Sequence, residues 1–374
     1  MRRVVVTGIG LMSASGDLET SWKALLLGRS SVRFLQPFPN INRRPLALIG
    51  SRPANFLDLS RRVVSAALND ANLSPPLPDC AVVLGSSRAQ EAEWEKMELG
   101  GDLDGWLNSL PHMGAIAAAR QIGATGTVLA PNAACASGLW AIARGFEWVR
   151  SGQGDRAIVG AVETPISPVT WAAFANMGVL ATSGCYPFDR RREGLAIGEG
   201  AAVFVLESET TARARGAKIY GQILGTGLTA DAHHICAIDP TGKGATMAVK
   251  LCCDRAGISP DEIDCIHAHG TGTQLNDRSE AMLISNLFPK TVAVMSTKGA
   301  TGHTLGASGA LGMAFSLLAL QQQILPPCVG LTDPEFDLNF VIEARSARVD
   351  RALVLSFGFG GQNAAIAVGK FRHV

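Results

Sequence analysis

Continuous runs of apolar side chains, rather than alternating ones, set the rhythm of this chain. Val-, Ile- and Leu-rich runs fall at residues 4–6, 81–85, 127–130, 157–162 and 202–206. A second set follows at 219–224, 263–268, 292–295, 352–357 and 365–368. A strand with one wet face alternates in polarity, so continuous runs predict strands covered on both faces. Between them apolar positions recur at helical spacing, clearest over 59–71, 136–150, 245–256 and 305–322. This alternation of strand and helix predicts an α/β fold with mostly parallel sheets.

Five runs precede residue 210 and five follow it. The halves also echo each other. Ala136-Ser137-Gly138-Leu139 follows one strand and opens a long helix, as does Ala307-Ser308-Gly309-Ala310-Leu311. The echo suggests an internal duplication, with halves 1–210 and 211–374 joined through the charged, turn-like segment 208–216. With no low-complexity stretch or flexible linker between them, the halves are expected to share one core.

Composition agrees with a large core: 374 residues, 47% hydrophobic and 17% charged. A net charge of +1 gives no basis for broad nucleic-acid binding. No apolar run reaches membrane-spanning length, and the three valines after Met1-Arg2-Arg3 are too few for a secretion signal. The eight cysteines form no Cys-x-x-Cys pair, which argues against zinc and for reduced thiols in a cytoplasmic enzyme.

Four glycine-rich stretches carry the candidate chemistry. Asn132-Ala133-Ala134-Cys135-Ala136-Ser137-Gly138 lies between a strand and a helix. There the helix dipole and its free N–H groups favour a thiolate at Cys135, although a buried structural cysteine fits the same segment. His267-Ala268-His269-Gly270-Thr271-Gly272-Thr273 ends a strand. Both histidines point to one side of that strand, but only His269 opens the turn. In the stretch from Ser296 to Gly309, Lys298 and His303 are the strongly polar residues among small ones. Finally, Ser356-Phe357-Gly358-Phe359-Gly360-Gly361 sets two aromatics on a glycine-rich backbone, suited to gating a pocket and to offering N–H groups to an oxyanion.

Taken in order and spacing, these motifs resemble the β-ketoacyl-acyl-carrier-protein synthases, particularly the synthase II type. Val5-Val6-Thr7-Gly8-Ile9-Gly10 and Pro187-Phe188-Asp189 extend the resemblance over nearly the whole chain. It implies a thiolase-like fold of two similar α/β halves in five αβαβα layers, usually a homodimer. It implies decarboxylative Claisen condensation of an acyl thioester with malonyl-carrier protein. Cys135 would hold the acyl group, and His269 and His303 would support decarboxylation. Lys298 would order the site, and the N–H groups of Cys135 and Phe359 would form the oxyanion hole. Phe357 and Phe359 would gate the pocket, and Thr271 and Thr273 would touch the phosphopantetheine arm of the carrier, or of coenzyme A. No tightly bound cofactor is implied. An acidic carrier calls for a basic patch, for which Arg61, Arg62, Arg190, Arg191 and Arg192 are candidates.

The chain departs from the synthase II pattern in places. The segment before Cys135 is short. Gly312 stands where such synthases commonly carry a Glu that pairs with the site lysine, Leu355 replaces a common Asn, and Gln362 a common Thr. With its Gly-Thr-Gly-Thr turn, the chain approaches polyketide ketosynthases. Two rivals remain. One is a chain-length-factor-like subunit that keeps the fold without the chemistry or works with a second ketosynthase-like subunit. The other is a nucleotide-binding oxidoreductase, suggested by Gly8-Ile9-Gly10-Leu11-Met12-Ser13.

Overall fold

The computed structural model describes residues 1–100 and 104–372. Ten strands carry the fold: β1 (Val4–Ser13), β2 (Ala81–Gly85), β3 (Val128–Leu129), β4 (Arg156–Glu163), β5 (Gly200–Ser208), β6 (Gly221–Ala230), β7 (Cys265–His267), β8 (Ala293–Met295), β9 (Arg351–Gly358) and β10 (Gln362–Gly369). They hydrogen-bond in the order β8-β7-β9-β10-β6-β1-β5-β4-β2-β3. Outward from the middle this reads 1-5-4-2-3 on one side and 6-10-9-7-8 on the other, the same arrangement five strands later.

Strand directions repeat as well. β3-β2-β4 and β8-β7-β9 are parallel. β4-β5-β1 and β9-β10-β6 are antiparallel. The two sides join where Val4 of β1 pairs antiparallel with Ile223 of β6. The expectation of mostly parallel sheets therefore fails across the middle. Continuous apolar runs report burial on both faces, and the central antiparallel strands are buried in the same way, so the pattern carries no direction.

Five helices complete the layers: α1 (Phe56–Asp70), α2 (Ser137–Arg150), α3 (Lys243–Ala256), α4 (Gln274–Leu287) and α5 (Ser308–Gln322). α1 packs on β1 from outside, and α3 packs on β6 and β10. α2 and α5 lie between the two sides of this sheet, touching each other and strands of both halves. Every residue of α5 from Ser308 to Leu320 is buried, as expected of a helix that is apolar all round. The echoed Ala-Ser-Gly is where these two helices meet. A Cβ on Gly138 would sit 2.8 Å from the carbonyl oxygen of Gly306, and one on Gly309 2.6 Å from the Leu139 side chain.

Gly8 and Gly10 lie inside β1. A Cβ there would come within 2.4 Å of the Ala67 oxygen or 2.0 Å of the Val63 oxygen, so these glycines let α1 lie on the strand. That use removes the basis of the nucleotide-binding alternative, which needs a strand-to-helix turn at the glycines. Among the described residues no helix is long and apolar enough to cross a membrane.

Candidate active site

Cys135 lies on the turn that carries the chain from β3 into α2. Ala134 before it is in the left-handed region, with φ of 48°, uncommon for a residue with a side chain. Two contacts of Ser137 Oγ hold the turn: it accepts from Ala133 N at 2.9 Å and donates to Ala134 O at 2.6 Å. Ser356 Oγ on β9 donates to Cys135 O at 2.9 Å. Gly358 lets the end of β9 come close, since a Cβ there would sit 2.5 Å from Ala133 O. This contact brings the Phe359 N–H onto the Cys135 thiol.

Burial pushes the Cys135 thiol up to about 12, against the pull of Lys298 and of the N–H groups of Phe359 and Cys135. The N–H groups at the helix start favour the thiolate, as expected, but desolvation outweighs them. Burial pushes Cys185 and Cys328 up to about 12 too. Cys135 differs from them in lining the cavity.

His269 follows β7. Its N–H and that of Gly270 donate to the two oxygens of Glu280 at 2.6 and 2.7 Å. Lys298 Nζ lies 3.3 Å from His269 Nδ1 and also donates to His269 O. An ammonium offers only protons, so Nδ1 accepts and the ring proton sits on Nε2. His303 is fixed by its backbone, its N donating to Ala196 O at 2.7 Å and its O accepting from Gly198 N at 3.0 Å. Its Nδ1 lies 2.9 Å from Ser308 Oγ at the start of α5. The rings of His269 and His303 meet edge to face with centroids 5.3 Å apart. Burial, followed by the charge of Lys298, holds both imidazoles well below the usual histidine range, so both are neutral. Burial also pushes Lys298 down, while nearby Glu280 opposes that shift.

Cys135, His269 and His303 thus converge on one cavity of about 310 Å³, together with Thr271, Thr273, Phe357 and Phe359. Phe359 packs against Phe174, centroids 6.0 Å apart, on the apolar wall. Thr271 and Thr273 hydroxyls are 2.8 Å apart on another wall. A thiol, two neutral imidazoles and a backbone N–H at the sulfur are the groups that acyl transfer and the support of a developing oxyanion require.

None of the arginine candidates lines this cavity. Arg61 pairs with Asp58 on α1 at 2.8 Å and Arg62 lies beside Met12. Arg190 pairs with Asp333, and Arg191 lies over the Tyr186 ring at 4.0 Å. Arg192 cannot be a docking residue: it is 2% exposed, 3.9 Å from Asp277 and bonded to Glu335. A turn closed by Arg192 N on Asp189 O at 3.1 Å sends this third arginine inward, where the buried Asp277 takes a cation.

Sequence reasoning passed over the buried acids. Glu280 orients the His269 turn, and Asp277 accepts from Phe188 N, Thr271 N and Gly272 N at 2.7, 3.0 and 3.2 Å. Glu163 accepts from Ser87 N at 2.8 Å and Gly306 N at 2.9 Å, tying the two halves together. The available signal was the three-residue spacing of Asp277 and Glu280 just after a glycine-rich turn. His267 faces away from the cavity. Its Nε2 lies 3.0 Å from Thr297 Oγ1, and its ring fills the space above Gly312, where a Cβ would come within 2.5 Å.

The sequence model of the beta-ketoacyl synthase N-terminal domain matches residues 49–212, and that of the C-terminal domain matches 220–332. The chain is 36% identical to a 3-oxoacyl-[acyl-carrier-protein] synthase 2 of Mycobacterium bovis, over 98% of this chain and 97% of that one. Among solved structures it resembles the ishigamide ketosynthase/chain length factor (TM-score 0.91, 28% identity, 99% of this chain and 100% of that chain). It also resembles AntDE:AntF, a type II polyketide synthase carrier protein in complex with its ketosynthase (TM-score 0.93, 26% identity, 99% and 100%).

Proposed function

The chain belongs to the beta-ketoacyl synthase family, with its thiolase-like fold, and we propose that Cys135 is the nucleophile with which it condenses acyl and malonyl thioesters. The protein is a beta-ketoacyl-acyl-carrier-protein synthase acting in fatty acid or polyketide-type synthesis, and an acyl carrier protein is its partner. The observation that carries the assignment of Cys135 is the meeting of its thiol, the Phe359 N–H and the two neutral imidazoles at one cavity.

In the first half-reaction the Cys135 sulfur attacks the acyl-carrier thioester. A tetrahedral oxyanion forms between the N–H groups of Cys135 and Phe359. It collapses to acyl-Cys135, and the carrier thiol leaves with the proton that Cys135 gave up. In the second, malonyl-carrier loses CO2, and the bonding electrons become an enolate whose oxygen takes the Nε2–H donors of His269 and His303. The enolate carbon attacks acyl-Cys135, the carbon–sulfur bond breaks, and the thiolate recovers a proton. Lys298 fixes the tautomer of His269 for this step. Thr271 and Thr273 accompany the pantetheine arm, and Phe357 and Phe359 open and close the pocket. The chemistry needs no metal or redox cofactor.

The repeated strand order supports a duplication with halves 1–210 and 211–374. A homodimer in the cytoplasm completes the proposal. The test is to incubate the protein with acyl-carrier proteins and map the adduct by peptide mass. One acyl group on the Cys135 peptide is expected. A folded protein that stays unacylated at Cys135 would instead be a partner subunit of the chain-length-factor kind.

A further inference from the structure

A second cavity lies at the far end of α2 from Cys135, about 20 Å away along this 14-residue helix. It is a cleft of about 740 Å³, within the range of small-molecule sites. Separate segments of the chain meet in it. Arg2 and Arg3 lead into β1, Arg150 ends α2, and Ile258 follows α3. Arg348 and Arg351 come at the start of β9, and Lys370 and Arg372 after β10. Backbone contacts fix these meetings: Arg2 N donates to Arg150 O at 3.2 Å, and Lys370 N to Asp350 O at 2.8 Å. The condensation proposed above uses none of these residues.

Seven cations and one carboxylate, Asp350, line the cleft of a chain whose net charge is +1. The cations have counterions. Arg2 pairs with Asp155 at 2.6 Å, Arg3 with Glu209 at 3.3 Å, Arg150 with Glu147 at 3.6 Å and Arg351 with Glu262 at 2.9 Å. Arg348 and Arg372 share Asp350, at 2.8 and 3.0 Å. Asp264 accepts from the backbone N–H groups of Asp350 and Arg351 at 2.7 and 2.8 Å. Asp350 apart, none of these acids lines the cleft. They hold the arginines in place through one or two nitrogens of each guanidinium, which carries five N–H donors. Lys370 forms no ion pair among the described residues. The half-buried side chains of Leu224 and Ile258 add an apolar patch to the lining.

Guanidinium groups with unspent donors suit phosphate oxygens, which they take in pairs. Cations on several segments around one cleft call for an anion with more than one phosphate. A nucleic-acid backbone would need an extended basic stripe and a membrane a flat face, whereas this site is concave. We propose that the cleft binds a small polyphosphate anion through its pyrophosphate group, either free or carried by a nucleotide whose base lies on Leu224 and Ile258.

The test is calorimetric titration at low salt with ADP and with inorganic pyrophosphate, against adenosine and inorganic phosphate. Both diphosphates should bind and raise Tm, and adenosine should not. Tighter binding of ADP than of pyrophosphate makes the nucleotide the source, and equal binding makes it the free anion. R348Q/K370Q/R372Q and R2Q/R3Q change different segments of the cleft, and each should weaken binding about tenfold or more. R61Q/R62Q on α1 should stay within about twofold. In the unsubstituted protein, pyrophosphate should protect Arg348 and Arg372 from phenylglyoxal, read by peptide mass, and leave Arg61 labelled. That measurement needs no variant to fold. Neither heat nor a Tm shift from either diphosphate up to about 1 mM overturns the proposal. So does unaltered binding in both cleft variants, or labelling of Arg348 and Arg372 that pyrophosphate leaves unchanged. Phosphate binding as tightly as pyrophosphate overturns it too. Capture by phosphatidylglycerol vesicles without binding of the free diphosphates would overturn it in favour of a membrane surface.

Discussion

Lys298 Nζ stands 3.3 Å from Nδ1 of His269, so the lysine determines which nitrogen of that imidazole carries the proton. Neutral Nε2–H faces the cavity as a donor, and the charge that fixes it is itself buried beside Glu280. A cavity donor held this way depends on a lysine that does not itself line the cavity.

Replacing that lysine tests the dependence. Lys298→Ala should slow both acyl loading and CO2 release, because it removes the positive charge near Cys135 and frees the tautomer of His269. Burial lowers the lysine's proton affinity, so the active charged form is lost as pH rises, below the ordinary lysine range. The alkaline limb of the rate profile should therefore disappear in Lys298→Ala. An alkaline limb unchanged in the variant would assign it to another group.

Cys135→Ala should end condensation while leaving malonyl-carrier decarboxylation measurable, since the imidazole donors remain. Radiolabelled malonyl-carrier separates the two readouts. Continued formation of ketoacyl product would remove Cys135 from the mechanism.

His303→Ala should cut CO2 release about 10²–10³-fold, the usual worth of one oxyanion donor, and leave single-turnover acyl loading nearly intact. Ser308→Ala should produce a smaller fall in the same step, because Ser308 only orients His303 through the 2.9 Å contact. Equal losses in loading and in CO2 release would contradict this division of labour.

Gly312 is the floor under His267. Gly312→Ala should destabilise the fold by about 1–3 kcal/mol through overpacking, because its Cβ would lie 2.5 Å from the imidazole ring. In a His267→Ala background the same change should cost much less. A double-mutant cycle from denaturant titrations reads the coupling, and additive costs would dismiss the contact.

His267 also titrates with folding. Burial lowers it to about 3 in the fold, so it contributes stability above the unfolded value near 6.5 that is lost progressively as pH falls from there toward 3. The loss approaches about 1.4 kcal/mol per pH unit from this one residue. Glu199 acts in the opposite sense, since burial raises it to about 7 and its contribution weakens as pH rises through that value. Comparing unfolding free energies at pH 7.5 and 5.5 isolates the histidine: His267→Gln should lose less stability on acidification than the parent. An identical loss would show that His267 is not the group responsible.

Much of this could be read along the chain. Apolar periodicity located all ten strands and the four helices read from spacing, because burial of a segment depends largely on its own pattern of side chains. The motifs around Cys135, His269, Lys298, His303 and Phe359 lie at strand ends and glycine-rich turns, which local composition marks. Strand direction was not legible, because antiparallel and parallel strands buried on both faces look alike in sequence. Nor was the fate of Arg192, since a run of three arginines reads as a solvated patch until a turn sends one inward to Asp277.

The amino-acid order by itself determined the α/β elements and the chemical types available at the site, since those depend on near neighbours. Only the folded structure decided what meets what. It brought the Phe359 N–H onto the Cys135 thiol, set His269 against His303, raised the thiol to about 12 and filled the space above Gly312 with His267. Proton affinity and contact depend on burial and on charges such as Lys298, more than a hundred residues from Cys135 along the chain, and these exist only once the chain has closed on a common core.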